Sequence, residues 1–217
     1  MKLATAESEK EVVEILKKEG FWDAGEDHWI SYGGSDSNLG QISAQAKSAD
    51  KALVEKMTNS IDELLVLECL KRGIDPKSDD APKSINEALE TFFDIPDGDL
   101  TQFEKSEIKT LAEKIGVITT GKRTHPNITI YDHGTGQSPN TLKDTILSLN
   151  KKNKAGISFT HGTYNQGGSA ALKFASEKHH LQLVISKKHP LAINKDEEIL
   201  GDSWCFTVVR REYQEGD

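Results

Sequence analysis

Along most of this chain apolar residues recur three and four positions apart, the spacing of a helix with one buried face. In three short runs the spacing changes to the β-branched or alternating pattern of strands. A first helix is predicted over Ser8 to Lys18, with Val12, Val13, Ile15 and Leu16 inward and a stop near Gly20. Phe21 to Gly40 has no period. Its Trp22 and Trp29 read as an irregular arm that packs its aromatics on this chain or on a partner. The longest helix is predicted over Lys51 to Gly73, capped at Ser48 or Asp50. Ser84 caps another over 85–93, and a further helix runs from about Phe103 to Ile115, stopping at Gly116. Pro126 to Asp132 is a strand, followed by a glycine turn and a helix from Ser138 through Leu149. A polar loop over 150–165 has the profile of a mobile segment and leads to a short helix over 169–176. Leu181 to Ser186 and Trp204 to Val209 close the chain as an antiparallel pair of strands.

The long helix departs from ordinary amphipathicity. Leu53, Met57, Ile61 and Leu64 fall on one side and predict its core stripe. On roughly the opposite side Glu55, Asn59 and Asp62 stand at i, i+4 and i+7, where a solvated helix usually carries long Lys and Glu side chains. Two carboxylates and an amide in vertical register suit a divalent cation and an activated water. Hard cations take oxygen ligands, and a Glu can serve as general base. The same trio also fits a plain wet helix face.

Two glycine turns carry further chemistry. Asp132-His133-Gly134-Thr135-Gly136 puts a carboxylate at the end of a strand, with glycines that allow positive φ and close backbone approach. It lacks the G-x-x-x-x-G-K-[ST] of a phosphate loop, the third glycine of a dinucleotide fingerprint and the alternating carboxylates of a calcium loop. Gly162 to Ser169, with Gln166, Gly167 and Gly168, opens a predicted helix, and such an N-terminus is a natural anion site. Either turn taken alone also reads as a structural hinge.

Composition narrows the classes. The chain has 217 residues and a net charge of −8, a balance that speaks against broad nucleic-acid gripping. The basic runs at 151–154 and 210–211 read as a loop and a solvated strand end. No apolar run is long enough to span a membrane, and the acidic start does not resemble a signal peptide, so a cytoplasmic location is expected. Cys69 and Cys205 are too few for a disulfide framework and are expected as small buried side chains. The seven histidines show no zinc-like spacing.

In order, the E-x-x-x-N-x-x-D helix, the D-x-G-x-G turn after a strand and the glycine-rich turn before a helix resemble the GHKL ATPase superfamily. That superfamily includes DNA gyrase, the large heat-shock chaperone, histidine kinases and MutL. The resemblance covers about Asp50 to Val209. It implies an α+β fold of Bergerat type: a two-layer sandwich with helices on one face of a mixed, mostly antiparallel sheet. It implies an N-terminal helix and arm over 1–40 and an ATP-binding domain over 41–217. That domain would carry a helical insertion over about 75–116 and a lid over about 150–166. It implies Mg²⁺-dependent ATP binding and slow ATP hydrolysis that drives a conformational or dimerisation switch. Glu55 resembles the general base, Asn59 the Mg²⁺ ligand, and Asp62 the supporting acid. Asp132 resembles the residue that accepts the adenine amine. Gly134 and Gly136 would close over the base, Gly162, Gln166, Gly167 and Gly168 would line the phosphates, and Thr207 would lie near the adenine-binding acid. His133 stands where the family often has Asn, and Gln137 where it is often apolar. The family's further lysine comes from a following domain, so the chain is expected to be the front part of a longer protein. A nucleotide-dependent homodimer is the implied partner, with neither nucleic acid nor membrane expected. The competing readings are an inactive interaction domain of the same fold and a histidine-kinase-type phosphotransfer module.

Overall fold

The computed structural model describes residues 2–25, 28–32, 48–145, 147, 154–161, 171–175, 178–194 and 200–211. Helix α1, Glu9–Lys18, begins where the Ser8 hydroxyl accepts from the Glu11 amide at 3.2 Å, and the chain leaves it through Gly20 at φ +77°. Helix α2, Ala49–Lys71, is the longest element and ends before Gly73 at φ +71°. Helix α3, Ile85–Phe93, is capped as its sequence predicts: Ser84 Oγ accepts from the Glu87 amide at 3.1 Å, and Glu87 reaches back to the Lys83 amide at 2.8 Å. Helix α4 is Lys105–Ala112, closed at its start by a capping box between Glu104 and Glu107.

Strands β1, Ile115–Lys122, and β2, His125–Asp132, pair antiparallel from Ile115 opposite Asp132 to Lys122 opposite His125. Strands β3, Gln182–Lys187, and β4, Trp204–Val209, pair antiparallel from Gln182 opposite Val209 to Lys187 opposite Trp204. The chain is therefore a mixed α and β protein, with its described strands in two separate two-stranded sheets. Among the described residues no helix is long and apolar enough to cross a membrane.

One hydrophobic core lies under the carboxyl half of α2. Leu65 and Cys69 pack with Ala81, with Ala88 and Phe92 of α3, and with Phe159. Phe92 meets Phe159 edge to face at 6.3 Å, an arrangement that satisfies the ring quadrupoles. The described part of the 150–165 loop is thus tied down at its centre, since Phe159 is 0% exposed. Both cysteines are buried and free, and burial pushes both thiols above their ordinary range.

Several sequence expectations change here. The α4 helix stops at Ala112, and Ile115-Gly116 open β1 where the pattern predicted a helix end. The β-branched run Val117-Ile118-Thr119-Thr120 favours the strand. Gly116 stands opposite Tyr131, and a Cβ there would run into the tyrosine ring, so this glycine fits a covered strand position rather than a helix stop. In its described part the helix expected from Ser138 to Leu149 is a 3₁₀ turn, Leu142–Asp144; 146 and 148–149 lie outside the described residues. Thr145 Oγ1 donates to the Gln137 side chain at 2.6 Å and to the Thr141 carbonyl at 2.8 Å, the side-chain competition that disfavours helix. The short helix over 169–176 is likewise a 3₁₀ turn, Ala171–Phe174, in its described part.

The predicted faces of α2 are also redrawn. Of the expected core stripe only Leu64 is buried; Met57 and Ile61 are 40% and 39% exposed. Asp62, expected on the polar face, is 0% exposed. The polar side is covered because other parts of the chain bring it partners, as the next section describes.

Candidate functional site

The site forms where α2 meets the end of β2. Asp132 is the last residue of β2, and its side chain turns back onto the helix. Asp132 Oδ2 accepts from Ser60 Oγ at 3.0 Å, and Oδ1 accepts from the Gly134 amide at 2.9 Å. Ser60 is buried on α2, whereas Asp132 is exposed, so its carboxylate keeps lone pairs open to solvent or a ligand. The two bonds fix the carboxylate without covering it.

The glycines make this approach feasible. A Cβ on Gly134 would fall 2.6 Å from Glu63 Cβ and 3.0 Å from the Glu63 carbonyl carbon, so any side chain would push the turn off α2. Gly136 has φ +64°, and a Cβ there would run into the Lys187 carbonyl. Between them Thr135 Oγ1 donates to Glu63 Oε2, while the Thr135 carbonyl accepts from the His189 amide at 2.8 Å. The Gln137 amide donates to Ser186 Oγ at 2.8 Å, and Cys205 Sγ lies 3.4 Å from the Gln137 carbonyl. The turn is thus stapled to α2 on one side and to the β3–β4 pair on the other.

Asp62, itself fully buried, sits one turn of α2 beyond Asn59 in a polar knot. It accepts from Lys154 Nζ at 3.1 Å and from the His161 amide at 2.9 Å, with His161 Nδ1 at 3.6 Å. Lys154 also lies 3.3 Å from Glu63 Oε1, bridging the two carboxylates. A buried carboxylate is tolerated when charge and donors surround it, and Asp62 meets that condition. Its bonds tie the 154–161 segment to α2.

Glu55 and Asn59 are half-buried on the preceding turns of α2, at the i, i+4 spacing the sequence sets. Thr207 is half-buried in β4 opposite Val184 and shares a strand face with Cys205, two residues before it. The structure therefore joins Asp132 and Gly134 to α2, sets Gly136 against Lys187 at the end of β3, and gives Asp62 to a neighbouring knot. It leaves Thr207 related to the turn only through its strand. Gly162, Gln166, Gly167 and Gly168 lie outside the described residues. Among the described residues no three His, Cys, Asp or Glu side chains form a group suited to a metal ion. A Mg²⁺ held by the Asn59 amide oxygen and by phosphates would need no such group.

Ser60, Glu63, Thr135 and Lys154 are the neighbours of the candidate site that sequence reasoning missed. Ser60 and Glu63 carry no signal in a helix pattern, and Lys154 hides in a basic run. Ser60 and Thr135 stood inside recognised motifs, but at positions those motifs leave open. No family model matches this chain, and no curated protein or solved structure matches it either.

Proposed function

We propose that this chain is an adenine-nucleotide switch of GHKL type, binding ATP with Mg²⁺ and hydrolysing it slowly. The observation that carries the reading is the bond between Ser60 and Asp132, which joins the helix motif to the strand-end motif across 72 residues. With the glycine at 134 pressed on α2, it supports a ligand cradle in which Asp132 accepts the adenine amine. In that cradle Asn59 would hold Mg²⁺ against the phosphates, and the metal would supply charge neutralisation there. Glu55 takes a proton from water as the water oxygen bonds the γ-phosphorus. The bond from that phosphorus to the bridging oxygen breaks, and ADP leaves with phosphate. The two hairpins and α2 would be parts of the two-layer Bergerat sandwich. The cradle's state would set how the arm and the 154–161 segment sit, and so drive a dimerisation or conformational change.

Asp132→Asn tests this reading. The amide keeps an acceptor for Ser60 or Gly134 but replaces the carboxylate that would meet the adenine amine. Affinity for an ATP analogue should fall about tenfold or more while the unfolding midpoint of the free protein moves little. Undiminished affinity in the variant would remove Asp132 from the site.

A further inference from the structure

We propose that Lys56 is the cation that meets the phosphates of the bound nucleotide, from the middle of a stripe along α2 whose two ends are already covered. This rests on the adenine-nucleotide reading above. Ala52, Lys56, Ser60 and Glu63 follow one another at i, i+4, i+8 and i+11 on the helix, one continuous face. Ala52 is 3% exposed and packs against Ala171, in the turn that follows Gly168 in sequence. Ser60 holds Asp132, and Glu63 holds Thr135. Lys56 lies between these anchored ends.

Among the described residues no carboxylate pairs with it. The residues one turn away on α2 are Ala52, Leu53, Asn59 and Ser60, none of them acidic. Glu55 is adjacent in the chain, and i, i+1 neighbours on a helix do not face each other. Glu63, further along the stripe, is engaged by Lys154 and Thr135. Desolvation by burial pulls the Lys56 ammonium down to about 8. A half-buried ammonium without an anionic partner is costly, and an incoming anion relieves that cost. Lys56 precedes Ser60 by four residues, about 6 Å of helix rise, so a base anchored at Asp132 directs its phosphates along the stripe toward it. The lysine supplies within α2 the positive charge that a triphosphate needs.

Calorimetric titration of the full chain with Mg²⁺ and either a non-hydrolysable ATP analogue or adenosine tests the assignment. The wild-type protein should prefer the analogue over adenosine by about tenfold or more, the contribution of one charge-assisted contact. Lys56→Gln should cut that preference to about twofold while leaving adenosine affinity unchanged, and Lys56→Arg should restore most of it. Lys56→Gln retaining the full preference would overturn the proposal while leaving the adenine reading intact. Loss of adenosine binding along with the analogue would assign Lys56 to support of the fold and overturn it too. A wild-type chain that binds neither ligand would end the adenine reading itself, and the Lys56 assignment with it.

Discussion

Gly134 shows how much a single residue can fix. It does not need a left-handed backbone; its requirement is space, because the turn lies on α2 at Glu63. Gly134→Ala would place a methyl 2.6 Å from Glu63 Cβ, a near-backbone neighbour that cannot swing aside. The expected result is destabilisation of about 1–3 kcal/mol together with weaker nucleotide binding, since the Asp132 carboxylate would be carried away from Ser60. An unchanged midpoint in denaturant unfolding would show that the turn does not press on the helix. In the sequence the two glycines already signalled close approach, and Asp132 its place at a strand end. What they approach could not be read, because Ser60 and Glu63 look like any helix residues until a distant segment lands on them. Asp62 shows a different limit. Its spacing placed it with Glu55 and Asn59, and only the fold reveals that Lys154 and His161 enclose it.

Among the elements, those decided by local rules were legible and those decided by pairing were not. The cap at Ser84 and the spans of α1 and α3 follow from a hydroxyl cap and apolar spacing near the chain itself. The boundary between α4 and β1 depends on Tyr131 covering Gly116 from another strand, so a residue read as a helix stop is a strand position. The joint between α2, α3 and β1 is held by charge. Glu68, near the end of α2, bonds Lys71 and Arg72 at 2.8 Å each and lies 3.4 Å from Lys114. Arg72 also donates to the Phe92 carbonyl at 3.0 Å and stacks over the Phe92 ring. Burial pushes the Glu68 carboxyl up, but the bonds from Lys71 and Arg72 and the Lys114 charge outweigh it, bringing it from 4.5 to about 2. A carboxylate lowered on folding stabilises the fold above its unfolded value, and that stability fades as the pH falls through the folded one. The stability gap between wild type and Glu68→Gln should therefore be full above pH 4.5 and shrink as the pH falls toward 2. Thermal unfolding of both proteins across that range measures it, and a gap independent of pH would show that Glu68 acts by packing alone.

At the scale of the whole molecule the N-terminal arm is tied to the C-terminal strand within one chain. Glu9 accepts from the Lys178 and His179 amides at 3.2 and 3.1 Å. The Arg210 guanidinium lies 4.5 Å from the Trp22 ring and 3.9 Å from Trp29, and it donates to the Trp22 carbonyl at 2.7 Å. The arm was legible as an aromatic segment that packs on something; its partner at 178–180 and 210–211 was not, because the two lie at opposite ends of the sequence. Arg210 and Lys154, read as a strand end and a loop, instead hold internal partners. Arm, strands, turn and helix thus form one connected path from the candidate cradle to both ends of the described chain, the path that the proposed nucleotide-driven switch would use. The most direct test of that central claim is a thermal-shift titration of the full chain with Mg²⁺ and a non-hydrolysable ATP analogue, against the matching GTP analogue. At about 100 times Kd the adenine ligand should add ~2.7 kcal/mol of stability and raise the midpoint, while the guanine ligand leaves it in place. A midpoint unmoved by either nucleotide, or moved equally by both, would contradict an adenine-selective site at Asp132.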